Sequence, residues 1–148
     1  MGYVFGYTRR MNIYLDIDGV ILASDKQEAR HVKEFLKYVT ENYPTYWLTT
    51  HCKCDANYTL SHLSRILDTE TIEICKDIRP TNWETSKTEA IDFSQSFLWF
   101  DDMLFDFEKD ELIKRNALNN WVEVDLSKNV DQLKNFVDNF PTLEKLSI

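Results

Sequence analysis

Glycine, proline and cysteine are scarce in this sequence, and long apolar runs are absent. Each of the three residue types occurs three times in 148 residues. Three cysteines cannot all pair, so the sequence does not predict a disulfide scaffold. No apolar run approaches the ~20 residues of a membrane-spanning helix, and the N-terminal segment MGYVFGYTRR lacks the apolar centre of a secretory signal. We therefore expect a soluble, reduced protein of the cytoplasm that does not bind membranes.

Positive charge is also scarce. Seventeen Lys and Arg residues against twenty-five Asp and Glu residues give a net charge of −8. Such a surface repels nucleic-acid backbones, so binding of nucleic acid would require a local basic contact. The sequence also lacks a nucleotide-binding loop of the G-x-x-x-x-G-K type.

The pattern of the chain predicts one α/β domain over residues 11–148, with residues 1–10 as an N-terminal extension or a lead-in to the first strand. Apolar segments of strand length alternate with amphipathic segments of helix length, which is typical of a parallel sheet covered by helices on both faces. The predicted strands are 11–17, 45–49, 71–74, 97–100 and 121–124, and the predicted helices are 25–42, 56–67, 87–93, 107–118 and 130–140. Ser24 with Gln27 and Ser86 with Glu89 fit the pattern of a capping box, and Asp55 fits that of an N-cap. We therefore expect a three-layer Rossmann-like fold with a central five-stranded parallel sheet.

Polar residues follow three of the predicted strands. Ligands of such sheets bind beyond the carboxyl ends of the strands, so we expect these residues to share one edge. Any single aspartate could instead be a helix cap or a turn residue, but four carboxylates together repel one another unless a cation intervenes. Hard oxygen ligands of this kind suit Mg²⁺. The residues are Asp16 and Asp18 at the end of the first strand, Thr49 and Thr50 at the end of the second, and Asp101 and Asp102 at the end of the fourth.

Two further residues are candidates for the same edge of the predicted sheet. Gly19 is the only glycine after position 6, and it follows the paired aspartates directly. Glycine in such a place indicates positive φ or a close backbone approach, although an ordinary tight turn also fits. Lys87 follows the predicted helix cap Ser86, where a cation opposes the helix dipole at a cost of ~0.3–1 kcal/mol. Lys87 is therefore either the partner of an anion or a solvated surface lysine.

These segments resemble the four motifs of the haloacid dehalogenase (HAD) superfamily. The matching parts are DIDGV at 16–20, the strand-end threonine in WLTT at 47–50, Lys87 before a helix, and FDD at 100–102. Their order and spacing are those of the family. The tryptophan before the lysine and the segment LWFDD are also similar to a small HAD subgroup related to domains of RNA-repair proteins. The resemblance implies a HAD-like fold and a Mg²⁺-dependent hydrolase of phosphate monoesters, that is, a phosphatase.

The resemblance also implies a catalytic role for three of these residues. Asp16 would attack phosphorus and form an aspartyl-phosphate. Asp18 would protonate the leaving group and then activate water. Lys87 would neutralise both the nucleophile and the phosphate.

The same resemblance implies two sets of binding residues. Thr49, Thr50 and Lys87 would bind the phosphate. The metal site would comprise Asp16, Asp18, Asp101 and Asp102, with Asp102 as a direct ligand, Asp101 supporting it, and Asp106 holding a metal-bound water.

Neither place at which HAD enzymes insert a cap domain has room for one. Gly19 lies close to the helix predicted from residue 25, and residues 51–86 hold only short elements. We therefore expect an open site without a cap domain. An open site suits a phosphate on a large substrate, such as a nucleic-acid end or another macromolecule, which excludes water when it docks. The candidate basic contacts for such a substrate are Lys53, Arg65, Lys76 and Arg79.

Two alternative functions remain open, a phospho-acceptor receiver domain and a non-catalytic binding module that keeps the fold. In receivers the lysine comes last in the chain, whereas Lys87 precedes Asp101 and Asp102 here. The presence of all four motif positions argues against a module that has lost activity.

Two other groups of residues, and Trp83, are interpreted as non-functional or left open. His51, Cys52, Cys54 and His62 do not have the usual spacing of a zinc site. The aromatic residues of segment 97–107 are interpreted as core rather than as a surface for stacking nucleobases. Trp83 either leans over the substrate or packs against the sheet.

Overall fold

The computed structural model describes residues 10–50 and 55–147. Within these ranges four parallel strands form one sheet in the order β2-β1-β3-β4. The strands are β1 (Met11–Leu15), β2 (Thr45–Trp47), β3 (Ser96–Asp101) and β4 (Trp121–Glu123). The helices are α1 (Val32–Asn42), α2 (Ala56–Leu63), α3 (Thr69–Cys75), α4 (Asp106–Lys114), α5 (Gln132–Asp138) and α6 (Phe140–Leu146), and 3₁₀ turns cover Lys87–Ala90 and Leu118–Asn120. The α/β class and the parallel sheet are confirmed, and the arrangement is compatible with a Rossmann-like fold.

The sheet is buried on both faces because its two central strands are apolar at most positions. Ile13 and Leu15 of β1 belong to a large core cluster with residues of α1 and α5, including Phe35 and Phe136. Tyr14 points to the other face, where it joins a second cluster with Trp99 and residues of α4. None of the helices in the described ranges has both the length and the apolar character needed to cross a membrane.

The sheet of the described residues has four strands, so the predicted fifth strand is wrong. Residues 71–74 (TIEI) lie within α3 instead. Asp68 caps this helix, because its Oδ1 accepts hydrogen bonds from both the backbone N–H and the hydroxyl of Thr71, each at 2.8 Å. The buried residues Leu67, Thr71 and Cys75 then follow one another at helical spacing. The N-cap at Asp68 outweighs the β-branched composition of this short segment.

The first helix begins later than predicted. Instead of a helix from residue 25, residues 22–28 form a tight reversal in which Leu22 and Glu28 pair in antiparallel fashion. The N–H of Ala23 donates to the carbonyl of Gln27, and Lys26 takes a left-handed conformation with φ of 65°. The predicted capping box of Ser24 and Gln27 is not the start of α1.

The C-terminal helix is divided in two. Residues predicted as one helix over 130–140 form α5, and α6 follows directly. Pro141 lies in the first turn of α6, where its missing N–H needs no partner, but it could not continue the hydrogen bonds of α5. Phe140 is fully buried at this junction and anchors it to the core.

Candidate active site

Asp16 and Asp101 lie side by side at the carboxyl edge of the sheet. In the parallel register of β1 and β3, Leu15 pairs with Phe100, so the next residue of each strand is an aspartate. The N–H of Asp16 donates to the carbonyl of Phe100 at 3.1 Å. Both side chains are buried, which is unusual for carboxylates without a positively charged partner. The strand register therefore creates the centre of the site.

Lys87 supplies the positive charge between these two carboxylates. Its Nζ lies 2.6 Å from Asp101 Oδ2 and 3.5 Å from Asp16 Oδ2. Burial acts to lower the pKa of Lys87, but the carboxylates of Asp16 and Asp101 outweigh it and raise the pKa. Lys87 is thus a buried partner of two carboxyl groups, and the interpretation as a solvated surface lysine is wrong.

A folded loop fixes the place of Lys87. The carboxylate of Glu89 accepts hydrogen bonds from the backbone N–H groups of Glu84, Thr85 and Ser86, at 3.0, 3.1 and 2.9 Å. The predicted capping box of Ser86 and Glu89 is confirmed, although it opens a 3₁₀ turn rather than a longer helix. This box ends the loop at Ser86, so the next side chain, that of Lys87, enters the site.

Asp101 is held by three hydrogen bonds. Besides Lys87, its carboxylate accepts from Trp99 Nε1 at 3.2 Å and from the N–H of Met103 at 3.3 Å. Burial, together with the carboxylate of Asp16, raises the pKa of Asp101 to about 8. Two buried carboxylates share one ammonium here, so the site is short of positive charge.

Asp102 completes a group that has the geometry of a metal site. One carboxylate oxygen from each of Asp16, Asp101 and Asp102 lies within 4.8 Å of the others. Asp102 is the exposed member of the group. An oxygen-only set with excess negative charge fits a hard divalent cation such as Mg²⁺.

Gly19 is required beside this group. It has φ of +86°, and a Cβ at this position would lie 2.4 Å from Cγ of Asp102. A larger residue would therefore displace the side chain of Asp102. The close approach predicted for this glycine is present.

The side chain of Asp18 lies apart from the group of three. Its Oδ1 is 3.4 Å from Nζ of Lys26, which the left-handed turn places over it. Asp18 lines a neighbouring cleft of about 650 Å³ together with Gly19 and Asp102. Asp102 also lines the cleft of Asp16 and Lys87, so it lies between the two clefts.

The remaining predicted site residues lie at different depths. Thr49 is buried just after β2, whereas Thr50 is exposed and lines the cleft of Asp16 and Lys87. Asp106 is the exposed first residue of α4, and it does not belong to the group of three carboxylates.

The cleft of Asp16 and Lys87 measures about 180 Å³ and has an aromatic rim. Trp83 is half-buried, and it both lines the cleft and packs against the second core cluster. Phe105 and Phe107 line the same cleft and are exposed, whereas Phe97, Trp99 and Phe100 are buried. The interpretation of segment 97–107 as core is therefore correct for β3 and wrong for these two phenylalanines.

Comparisons with protein-family models, with curated proteins and with solved structures find no match for the chain. The resemblance to the HAD superfamily therefore depends on the motif residues of the sequence alone.

Some predicted contacts lie elsewhere. His51, Cys52, Lys53 and Cys54 fall outside the described residues. Arg65, Lys76 and Arg79 are exposed but do not line the cleft of Asp16 and Lys87, and Lys76 is paired with Glu73. These three residues are not basic contacts of this cleft. The aromatic rim is the feature that sequence reasoning missed, and its signal was the spacing of Phe105 and Phe107 around the start of a polar helix.

Proposed function

We propose that this protein is a HAD-type, Mg²⁺-dependent phosphatase that hydrolyses phosphate monoesters through an aspartyl-phosphate. The observation that carries the proposal is the buried ammonium of Lys87 between Asp16 and Asp101, next to the exposed carboxylate of Asp102. Phosphoryl transfer depends on positioning and on positive charge around the transferring group. A buried lysine beside a nucleophilic carboxylate supplies both.

Asp16 is the nucleophile in this proposal. Its Oδ1 accepts a hydrogen bond from the N–H of Ile17 at 2.8 Å, which fixes the carboxylate, and Oδ2 faces Lys87. A carboxylate oxygen attacks phosphorus, the bond from phosphorus to the ester oxygen breaks, and an aspartyl-phosphate forms. Lys87 stays protonated throughout and offsets the negative charge of the phosphoryl oxygens.

Asp18 is the proton donor and acceptor. Its proton passes to the departing ester oxygen, and in the second step its carboxylate takes a proton from water as that water attacks phosphorus. The bond between phosphorus and Asp16 then breaks, which releases inorganic phosphate and restores both aspartates. Because Asp18 lines the cleft on the far side of Asp102, the ester oxygen must lie close to Asp102 to receive this proton.

Asp16, Asp101 and Asp102 are the side chains that would hold Mg²⁺, and Thr50 is placed to contact phosphoryl oxygens. The cation supplies positive charge beside the phosphoryl group and offsets the mutual repulsion of the carboxylates. The site opens to solvent at Thr50 and Asp102. We therefore propose a substrate whose phosphate is exposed on a larger molecule.

Replacement of the nucleophile tests the proposal. Asp16→Asn should lower kcat for p-nitrophenyl phosphate with Mg²⁺ at least about 100-fold, because an amide does not attack phosphorus. Asp110→Asn, on the exposed face of α4, is the matched control and should keep full activity. Removal of Mg²⁺ with EDTA should abolish turnover of the wild type.

Three outcomes would contradict the proposal. An Asp16→Asn variant with more than a hundredth of wild-type activity would exclude Asp16 as the nucleophile. A wild type that becomes phosphorylated by acetyl phosphate but never turns over would indicate a receiver-like domain. Absence of both phosphorylation and turnover would indicate a non-catalytic module.

A further inference from the structure

An exposed aromatic surface borders the cleft of Asp16 and Lys87. Met103, Phe105 and Phe107 are 55%, 52% and 51% exposed, respectively. They lie on the segment that leaves β3 and enters α4, and all three line the same cleft as Asp16, Lys87 and Asp101. Large exposed apolar residues beside a polar site indicate contact with a ligand.

The two phenylalanine rings form a prearranged shelf. Their centroids are 5.7 Å apart and their planes differ by only 6°, an offset-stacked arrangement. The N–H of Phe105 donates to Oε1 of Glu108 at 3.1 Å, and Glu108 is itself buried. This hydrogen bond fixes the backbone at the start of α4, from which both rings project.

The size of the cleft indicates which part of a substrate contacts the shelf. At about 180 Å³ it is smaller than the ~300 Å³ at which pockets begin to enclose a whole small ligand. Only the phosphate end of an ester fits beside Asp16 and Lys87, which are each 7% exposed. The remainder of the ester must lie at the mouth, against Phe105 and Phe107.

Two kinds of aromatic phosphate ester would place their ring at different depths in the cleft. In an aryl phosphate the ring is one oxygen away from phosphorus and would lie on the floor of the cleft, beside charged groups. In a nucleotide the sugar separates the base from the phosphate and brings the base to the mouth. Because the exposed rings of Phe105 and Phe107 lie at the mouth of the cleft, their position favours a nucleotide over an aryl phosphate.

We propose that the shelf formed by Phe105 and Phe107 offers its outer face to the base of a nucleoside phosphate, free or at the end of a chain, while its phosphate lies at Asp16 and Lys87. This assignment deepens the proposed phosphatase function and rests on it. Base–aromatic stacking tolerates every base, so the shelf selects for a base but not for its identity.

A matched pair of substrates tests the shelf. AMP and ribose 5-phosphate share the phosphate and the sugar and differ in the base. Wild-type kcat/KM should be at least about tenfold higher for AMP, within the range of stacking on one aromatic surface. In the double variant Phe105→Leu/Phe107→Leu the ratio should fall to about one, because leucine keeps apolar volume but has no ring. Phe105→Tyr/Phe107→Tyr should keep the preference, and Ile113→Ala, an exposed apolar position elsewhere on α4, should leave it unchanged.

Comparison of AMP with a 5′-phosphorylated oligonucleotide distinguishes the two sources of the base. If the wild type has a higher kcat/KM for one of these two substrates and the leucine double variant loses that difference, the stacking is supported. An AMP preference that survives in a folded leucine variant, or that is absent in the wild type, overturns the proposal.

A binding measurement keeps this test separate from the test of catalysis. Saturation-transfer NMR with adenosine, which has no phosphate, should show contact of the base with the wild type but not with the leucine double variant. Binding without turnover of any ester would refute the phosphatase but leave the shelf supported. Turnover without adenosine contact and without AMP preference would refute the shelf alone.

Discussion

At the scale of single residues, Lys87 determines the charge balance of the site. Asp16 and Asp101 are buried at the ends of neighbouring strands, and the ammonium of Lys87 contacts both. A buried charge without a partner is far more costly than an exposed one. The lysine therefore stabilises the folded site as well as the bound phosphate.

Replacement of this lysine should reduce stability. In metal-free buffer Lys87→Met should lower the free energy of unfolding by about 3 kcal/mol, because removing one partner of a buried ion pair leaves the other charges uncompensated. The low end of the usual range applies, since Asp101, with its raised pKa, can take up a proton. Urea unfolding provides the measurement. Lys109→Met, at an exposed position on α4, should change stability by less than about 0.5 kcal/mol, and an equal effect of the two variants would contradict the buried pair.

At the scale of elements, two short segments place the functional side chains. The loop before Lys87 folds around the carboxylate of Glu89, and α4 begins at Asp106 with Phe105 just before it. Each of the two segments is a helix N-terminus at which a glutamate carboxylate accepts hydrogen bonds from the backbone N–H groups of preceding residues. Local capping therefore fixes both the lysine and the aromatic shelf.

The loop around Glu89 gives a prediction about the position of Lys87. Glu89→Ala should lower stability by about 1 kcal/mol, as for loss of a helix cap, and should lower kcat for p-nitrophenyl phosphate about tenfold, because Lys87 is no longer held between the carboxylates. Glu84→Ala is the matched control, because Glu84 lies in the same loop and contacts Glu89 through its backbone N–H, which the substitution keeps. A kcat for Glu89→Ala that equals the control would show that Lys87 is positioned without the loop.

At the scale of the whole molecule, the parallel sheet collects acidic groups at one edge. Asp16, Asp101 and Asp102 come from β1 and from the end of β3, and Asp18 follows in the next turn. The folded state brings these charges together, whereas the unfolded chain keeps them apart. A cation that binds the group must therefore stabilise the fold as a whole.

Thermal unfolding measures this coupling. At about one hundred times Kd, Mg²⁺ should add about 2.7 kcal/mol to the stability of the native state, which corresponds to a rise in Tm of about 5–10 °C for a chain of this length. Asp102→Asn should remove most of the rise, and Asp138→Asn, at an exposed position on α5, should keep it. Absence of any rise at millimolar Mg²⁺ would refute the metal site.

The extent of the sequence prediction differs between central and peripheral elements. β1 and β3 were predicted from apolar runs that are buried on both faces, and the caps at Asp55 and Ser86 were predicted from local side-chain chemistry. Segment 71–74 was predicted wrongly, because its β-branched residues have no strand partner in the sheet. The start of α1 was predicted wrongly, because a capping pattern occurs before the helix without opening it. Local sequence patterns predict an element correctly where the whole segment is buried. They fail where the same segment can form either a turn or a helix.

The residue pattern alone places Asp16 and Asp101 after the two most apolar strands, and hence at the shared carboxyl edge of a parallel sheet. It also places a glycine directly after the paired aspartates. Contacts between distant segments, in contrast, bury Lys87 between Asp16 and Asp101, bring Asp18 to Lys26 in a neighbouring cleft, and leave Phe105 and Phe107 exposed to solvent. Strand pairing follows from a local apolar pattern and can be read from the sequence, whereas burial of a single side chain depends on which distant segments pack over it.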